Sequence, residues 1–450
     1  MKNIFLAFSI IFSIVFSSAC VDKSANSTTT TGSGGDTIKV GVYGDLTGQT
    51  SSYGQSTKNG IELAVEEINA AGGVGGKKIE LIIEDDQGRP EQAKTVVSKL
   101  INQDKVRAVL GEVASTNSLA AAPVAQEAKI PMITPSSTNP KVTQVGDYIF
   151  RVCFLDDFQG SSIAKFAANN LNGKTAAIFG DVNSDYSKGL TEFFEKEFTK
   201  LGGRVIAKEA YTQTDPDFKG QLTKIRNLNP DVIYIPGYYG QVGIIAKQAR
   251  ELGMNMPLLG GDGWDSPDLW ELGGAALKNS YITNHYSIDD PNPLIQNFVK
   301  NYKAKFNVTP DSLAALAYDA AKVLADAIKR AGGTDSAKLR DAINATKDFA
   351  GVTGTISINA ERNAVKPAVV LEVNPATKQL LPRTTIYPEG MSAPTNTNTN
   401  SSMNTNSMSG GNMNSNMMTN GNMNSNVSTG SNMSMNSNSA NSNSMNSNMR

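Results

Sequence analysis

Hydrophobic and polar positions along this chain switch repeatedly between a period of two and a period near 3.6, the pattern of strands alternating with helices. Thr37–Tyr43 alternates as a strand, and Lys58–Ala70 carries apolar residues at helical spacing. Gly72–Gly76 turns the chain into the strand Lys78–Glu84, and helix Glu91–Ile101 and strand Val106–Leu110 follow. A helix around Leu119–Ala128 then follows, and the apolar run Lys129–Ile133 is a further strand. A second series runs through helix Gly160–Leu171, strand Thr175–Gly180, helix Ser187–Leu201, strand Arg204–Ala210 and helix Phe218–Leu228. It continues with strand Asp231–Ile235, helix Val242–Leu252 and strand Pro257–Leu259. Pro293–Phe306 and Leu313–Ala331 are long helices, Asp335–Ala345 is a shorter one, and Gly354–Ile358 and Ala368–Val373 are short closing strands. Such alternation predicts an α/β fold of two open, doubly wound, mostly parallel sheets covered by helices.

In open α/β sheets, ligands bind just past the carboxyl ends of strands, where loops enter helices whose first N–H groups are unpaired. Two clusters of small hydroxyl residues stand at such places: GEVASTNS at Gly111–Ser118 and MITPSST at Met132–Thr138. Ser115, Thr116, Ser136, Ser137 and Thr138 are therefore placed to hold a small carboxylate by hydrogen bonds alone. The alternative is that they only cap helices, as Ser, Thr and Asn commonly do. The second series carries strand-end loops of its own: GDVNSDYSKG after Phe179, PGYYGQ after Ile235 and GGDGWDSPD after Leu259. The cleft between two such sheets is the natural ligand site.

Composition narrows the function classes. A net charge of −1 over 450 residues excludes the basic excess that phosphate backbones demand, so no nucleic acid is expected. At the start, Lys2, the apolar run Ile4–Phe16 and the small residues Ser17, Ser18 and Ala19 precede Cys20. This resembles a bacterial lipoprotein signal, with Cys20 as the acylated mature N-terminus, although Ser17 stands where that pattern usually has Leu. An ordinary secretory signal is the alternative, and either places the mature protein outside the cytoplasm. Val21–Asp36 is a polar tether. From Met391 to Met449 the chain is almost entirely Asn, Ser, Met, Thr and Gly, a composition that predicts disorder. Its thioethers suit copper(I), but no Cys or His accompanies them. Cys153 has no partner once Cys20 is acylated and reads as a buried structural thiol.

Catalytic motifs are scarce. His285 is the single histidine, beside Tyr281 and Tyr286 and outside the strand-end loops, and reads as a structural residue between domains. No G-x-S-x-G elbow, dinucleotide fingerprint or P-loop is present, so neither an enzyme nor a cofactor is expected. Asp85 and Asp86, before Gln87 and Gly88, read as a solvated turn. What remains are binding groups. Tyr186 and Tyr238 offer flat faces with hydroxyls, and Asp262 is an anion in a glycine-rich loop beside Trp264. A carboxylate held on one lobe, opposite an ammonium held by Asp262 on the other, describes an amino acid. At roughly 1.5–3 kcal/mol each, about four or five charge-assisted hydrogen bonds give micromolar binding, near −8 kcal/mol.

The segments IKVGVYGDLTG, SSYG, GIELAVEEINAAGG, EDDQGRP, GEVAST, ITPSST, YIPGYYGQ and GGDGW occur in that order across residues 37–388. Together they resemble the leucine/isoleucine/valine-type periplasmic binding proteins, the substrate receptors of ABC importers for branched-chain amino acids. The resemblance implies two lobes joined by three chain crossings that close over the ligand as a hinge. By motif it implies that Ser115 and Thr138, with backbone near Ala114 and Ser136, bind the ligand carboxylate. Tyr53, Tyr186 and Tyr238 line the cleft, Asp262 takes the ammonium where the best-known members carry Glu, and Trp264 shapes the side-chain pocket. Those members have a first-lobe disulfide at positions corresponding to non-cysteines near Gln87 and to Ala114. The implied organisation is a signal over 1–19, a lipidated tether over 20–36, a first lobe of 37–154 plus 286–366, a second of 155–285 plus 367–388, and a tail over 389–450. The implied role is that of a monomeric, lipid-anchored extracytoplasmic receptor delivering a branched aliphatic amino acid to ABC permease subunits. A sensor presenting its closed form to a membrane receptor, or a receptor for amides, urea or aromatic acids, is the alternative.

Overall fold

Two sheets, each ending in a row of polar loops, organise the molecule in a computed structural model that describes residues 37–391. The signal, Cys20, the tether and the tail beyond Met391 lie outside the described residues. The first series forms β1 (Ile38–Gly44), α1 (Ser51–Ala70), β2 (Ile79–Asp85), α2 (Pro90–Asn102), β3 (Ala108–Leu110), α3 (Ser115–Glu127), β4 (Met132–Thr134), α4 (Lys141–Gln144) and β5 (Ile149–Arg151). Its sheet is all parallel in the order β2-β1-β3-β4-β5. The second series forms α5 (Asp156–Asn169), β6 (Thr175–Asp181), α6 (Asp185–Lys200), β7 (Arg204–Tyr211), α7 (Lys219–Leu228), β8 (Val232–Tyr234), α8 (Tyr239–Glu251), β9 (Leu258–Gly260), α9 (Asp268–Gly273) and β10 (Ser280–Asn284).

The chain then returns to the first lobe. Helices α10 (Pro293–Phe306), α11 (Ser312–Ala331) and α12 (Ser336–Asn344) share a core with β1, β3 and α1, beside a small antiparallel sheet of β11 (Phe349–Gly351), β12 (Gly354–Ile358) and β13 (Ala364–Val365). It crosses again to add β14 (Ala368–Asn374) and β15 (Gln379–Ile386) to the second sheet, whose order is β15-β14-β10-β9-β8-β6-β7. Both added pairings, β10–β14 and β14–β15, are antiparallel, so this sheet is mixed rather than purely parallel. The chain thus passes between sheets three times, after β5, after β10 and at Lys366–Pro367 before β14.

Local chemistry explains the element ends. Asp311, Asp335, Asn292 and Ser184 each accept a hydrogen bond from a backbone N–H in the first turn of α11, α12, α10 and α6. Gly332 ends α11 with φ of 69°. Strand β15 contains Pro382, which a central strand would not tolerate. It sits beside a register shift on the sheet edge, where no ladder N–H is lost.

Helices α1 and α11 pack closely because Gly60 has no side chain: a Cβ there would run into the carbonyl of Ala314. Gly60→Ala therefore forces the two backbones apart and is expected to lower unfolding stability by about 1–3 kcal/mol, the usual range for overpacking. Denaturant unfolding checks this, and an unchanged midpoint contradicts it.

Candidate functional site

Strands β3 and β4 pair Val109 with Met132 and Leu110 with Ile133, so the two hydroxyl-bearing loops leave the sheet side by side. Helix capping does not explain them. The N-cap of α3 is Ala114, without a side-chain cap bond, and Ser136–Thr138 lead into no helix of consequence, since α4 has four residues and begins at Lys141. Three hydroxyls instead stitch the loops together. Thr134 Oγ1 donates to the Glu112 carbonyl (2.6 Å) and Ser137 Oγ to the same carbonyl (2.9 Å), while Ser118 Oγ meets Ser137 Oγ (2.7 Å). Ser137, expected to hold ligand, is thus committed to the scaffold. Ser136 is buried, and Ser115 Oγ accepts from Asn139 N (3.3 Å). Thr138 is fully buried; its Oγ1 has no well-aligned hydrogen-bond partner among the described residues and lies near the buried Asp156 carboxyl.

The opposing edge centres on Asp262, in a 3-10 turn after β9. Its Oδ1 accepts from Tyr186 OH (2.8 Å), its Oδ2 meets Nε2 of His285 (2.9 Å), and its N–H donates to Gln159 Oε1 (2.9 Å). His285 is buried and stacks on Phe154 with ring centroids 3.7 Å apart. Burial holds its pKa below the ordinary histidine value against the pull of Asp262, so the neutral ring donates from Nε2 and leaves Nδ1 unpartnered. This corrects the sequence reading of a histidine outside the cleft. It lies just past β10, an element the sequence did not reveal, and touches the central carboxylate. Trp264, two residues on from Asp262, is fully buried. It packs on Gly260 in the second-lobe core, where Nε1 donates to the Ile235 carbonyl (3.0 Å).

Contacts between the lobes bring the two edges face to face. Tyr53 OH donates to the carbonyl of Gly263, beside Asp262, and its ring meets Tyr238 and Tyr239 edge-on, with Tyr238 stacked on Tyr186. Asn139, beside Thr138, donates through Nδ2 to the carbonyl of Asp185 (2.7 Å), and Thr116 Oγ1 bonds the Asp185 carboxylate and N–H. Ala114 joins the second-lobe core. Asp265 Oδ2 accepts from Ser312 N (2.9 Å) at the start of α11, where Asp311 also accepts from Ala314 N (2.8 Å). Burial, with Asp265 adding like charge, pushes Asp311 up to about 7. Asp86 is likewise raised to about 7 by burial; it is fully buried, so the reading of Asp85 and Asp86 as a solvated turn holds only for the partly exposed Asp85. Among the described residues no group of three or more His, Cys, Asp or Glu side chains could hold a metal ion, and no helix is long and apolar enough to cross a membrane.

The chain matches the family model of a periplasmic binding protein over residues 37–379. It is 31% identical over 333 residues to a Leu/Ile/Val-binding protein homolog of Brucella melitensis, covering 74% of this chain and 89% of that protein. Among solved structures, a leucine-binding protein of Thermotoga maritima superposes with a TM-score of 0.75 at 41% identity, covering 79% of this chain and all of the other. A branched-chain amino acid transporter substrate-binding protein of Streptococcus pneumoniae, in complex with isoleucine, gives 0.73 at 35% identity, covering 77% of this chain and all of the other. A solute-binding protein of Rhodopseudomonas palustris, in complex with 3,4-dihydroxybenzoic acid, gives 0.71 at 29% identity, covering 78% of this chain and 97% of the other.

The carboxyl of Asp311 titrates near 7 in the folded protein, above the ordinary aspartate value. Its stabilising contribution is complete below about pH 4 and is lost as pH rises through about 7. Asp311→Asn keeps the helix cap and removes the titration, so the fall in stability between pH 5 and pH 8 is expected to shrink by at least about 1 kcal/mol. Urea unfolding at both pH values reads this; a fall as large as in the unsubstituted protein contradicts it.

Proposed function

Because the chain belongs to the periplasmic binding protein family, we propose that it captures an α-amino acid, aliphatic and branched, between its lobes and delivers it to the permease of an ABC importer. Family members are substrate-binding proteins, and the homologues and structural neighbours named above include receptors for branched-chain amino acids. In this reading a lipid on Cys20 holds the protein at the outer face of a membrane, and one copy suffices for capture.

One observation carries the ligand class. A buried hydroxyl with no partner, Thr138 Oγ1, stands on one lobe, and a buried carboxylate, Asp262, stands on the other. Their neighbours link the two sides: Asn139 bonds the carbonyl of Asp185, and the adjoining Tyr186 bonds Asp262. In the proposed pose, Thr138 and Ser115 take the ligand carboxylate and Ser136 and Ala114 border it. Asp262 accepts from the ammonium on lone pairs that Tyr186 and His285 leave free. Tyr53, Tyr186 and Tyr238 enclose the remainder. Closure then removes water, which strengthens each of these charged contacts. No covalent step is involved. A second reading, an aromatic acid, is supported by the stacked rings of Tyr186 and Tyr238 and by the dihydroxybenzoic acid in the Rhodopseudomonas neighbour.

A thermal-shift and calorimetry screen of the full chain against α-amino acids, small amides and benzoates tests the choice. Branched aliphatic amino acids are expected to raise the melting temperature and bind. Stabilisation by amides or benzoates alone would overturn the zwitterion account. Asp262→Asn keeps the shape of the side chain and removes its charge. It is expected to weaken amino acid binding at least roughly tenfold, the loss of one charge-assisted hydrogen bond. Unchanged calorimetric affinity would place the ammonium elsewhere.

A further inference from the structure

Arg151, the last residue of β5, is a fully buried cation with no ion-pair partner among the described residues. Its donors all go to neutral acceptors. Nε donates to Asn363 Oδ1 (2.7 Å), Nη1 to the carbonyl of Ser137, and Nη2 to the carbonyl of Asn139 (2.8 Å), to Thr143 Oγ1 (3.3 Å) and to the carbonyl of Pro140 (3.5 Å). Asp156 and Asp157 lie near enough to act on Arg151 electrostatically, but neither forms an ion pair with it. Burial pushes the Cys153 thiol up to about 12 and holds the Asp156 carboxyl well above the usual aspartate range, which favours the neutral form of each. A guanidinium stays charged at any physiological pH, and burying one without a counterion is costly.

The acceptors show where that charge is directed. The carbonyl of Ser137 and the N–H of Thr138 belong to one peptide unit, and in a trans peptide they point in opposite directions. With the carbonyl turned to Arg151, the N–H of Thr138 is turned away from it and has no hydrogen-bond acceptor, and Oγ1 of the same residue is also unpartnered. Thr138 therefore stands with a positive charge behind its peptide and an unused N–H turned away from that charge.

We propose that Arg151 is the positioning residue of the carboxylate half of the clamp. It holds the Ser136–Thr138 loop by its carbonyls and supplies a positive charge, free of any ion pair, that makes the site prefer a carboxylate to an uncharged amide. It touches no ligand and acts through the loop and through its field. The inference rests on the amino acid reading above.

Asn363→Asp tests it. The substitution is isosteric, leaves Arg151 Nε its acceptor and sets a negative charge against the guanidinium. Calorimetry on the full chain at pH 7, with L-leucine and L-leucinamide as probes, compares the unsubstituted protein with Asn363→Asp and Arg151→Lys. Asn363→Asp is expected to weaken leucine about tenfold and leucinamide less than about twofold, because only the carboxylate feels the lost charge. Arg151→Lys, which keeps the charge and loses the fork, is expected to preserve the ratio of the two affinities. Equal weakening of both probes in Asn363→Asp, or no change in either, overturns the proposal. Should that variant not fold, loss of the ratio in Arg151→Lys overturns it instead. If the unsubstituted protein binds no leucine, the amino acid reading falls, and this inference falls with it.

Discussion

A carboxylate buried where two sheets face each other must be held on every side, and the holding of Asp262 sets the geometry around it. Tyr186 at the start of α6, His285 beyond β10 and Gln159 on α5 all converge on its turn. Their convergence also explains the glycines there. A Cβ on Gly261 would lie 2.5 Å from the Tyr186 hydroxyl and 2.8 Å from Gln159 Oε1, so the loop is glycine-rich for close approach and not to cradle a phosphate. Since His285 stands on the second crossing and stacks on Phe154 of the first, the carboxylate is tied to the hinge itself.

The first lobe meets this anion with donors. Its two loops are joined by the hydroxyls of Thr134, Ser137 and Ser118, which fixes the backbone that carries Thr138. Arg151 secures the same loop from behind. The lobes therefore differ in kind, one offering donors backed by a positive charge and the other an acceptor of fixed orientation. A zwitterion satisfies both, and closure excludes the water that would otherwise compete.

Much of this was legible in the residue pattern. Helix Pro293–Phe306 and strand Gly354–Ile358 have the bounds their periodicity predicts, and the paired series of strands and helices specified the two sheets. Thr138, Tyr186 and Asp262 were recognisable as polar residues beyond strand ends, and the fold joins Tyr186 to Asp262. Other features depend on contacts distant in sequence. β10 was not among the strands read from the pattern, so the pairing of His285 with Asp262 was hidden. Asp85 and Asp86 look alike in sequence, yet neighbouring residues at the end of a strand face opposite ways, and only Asp86 is fully buried. The packing of the Trp264 ring on Gly260 likewise shows only in three dimensions. Arg151 gives no local signal, because its role comes from carbonyls of a loop that arrives from another strand.

The central claim is that the two lobes hold opposite ends of one zwitterion, and a crystal structure of the full chain with L-leucine tests it most directly. The account expects the carboxylate within hydrogen-bond distance of Ser115 and Thr138 and the ammonium against Asp262. An amino acid in the reverse orientation, or seated outside the cleft with Thr138 still unpartnered, would contradict it.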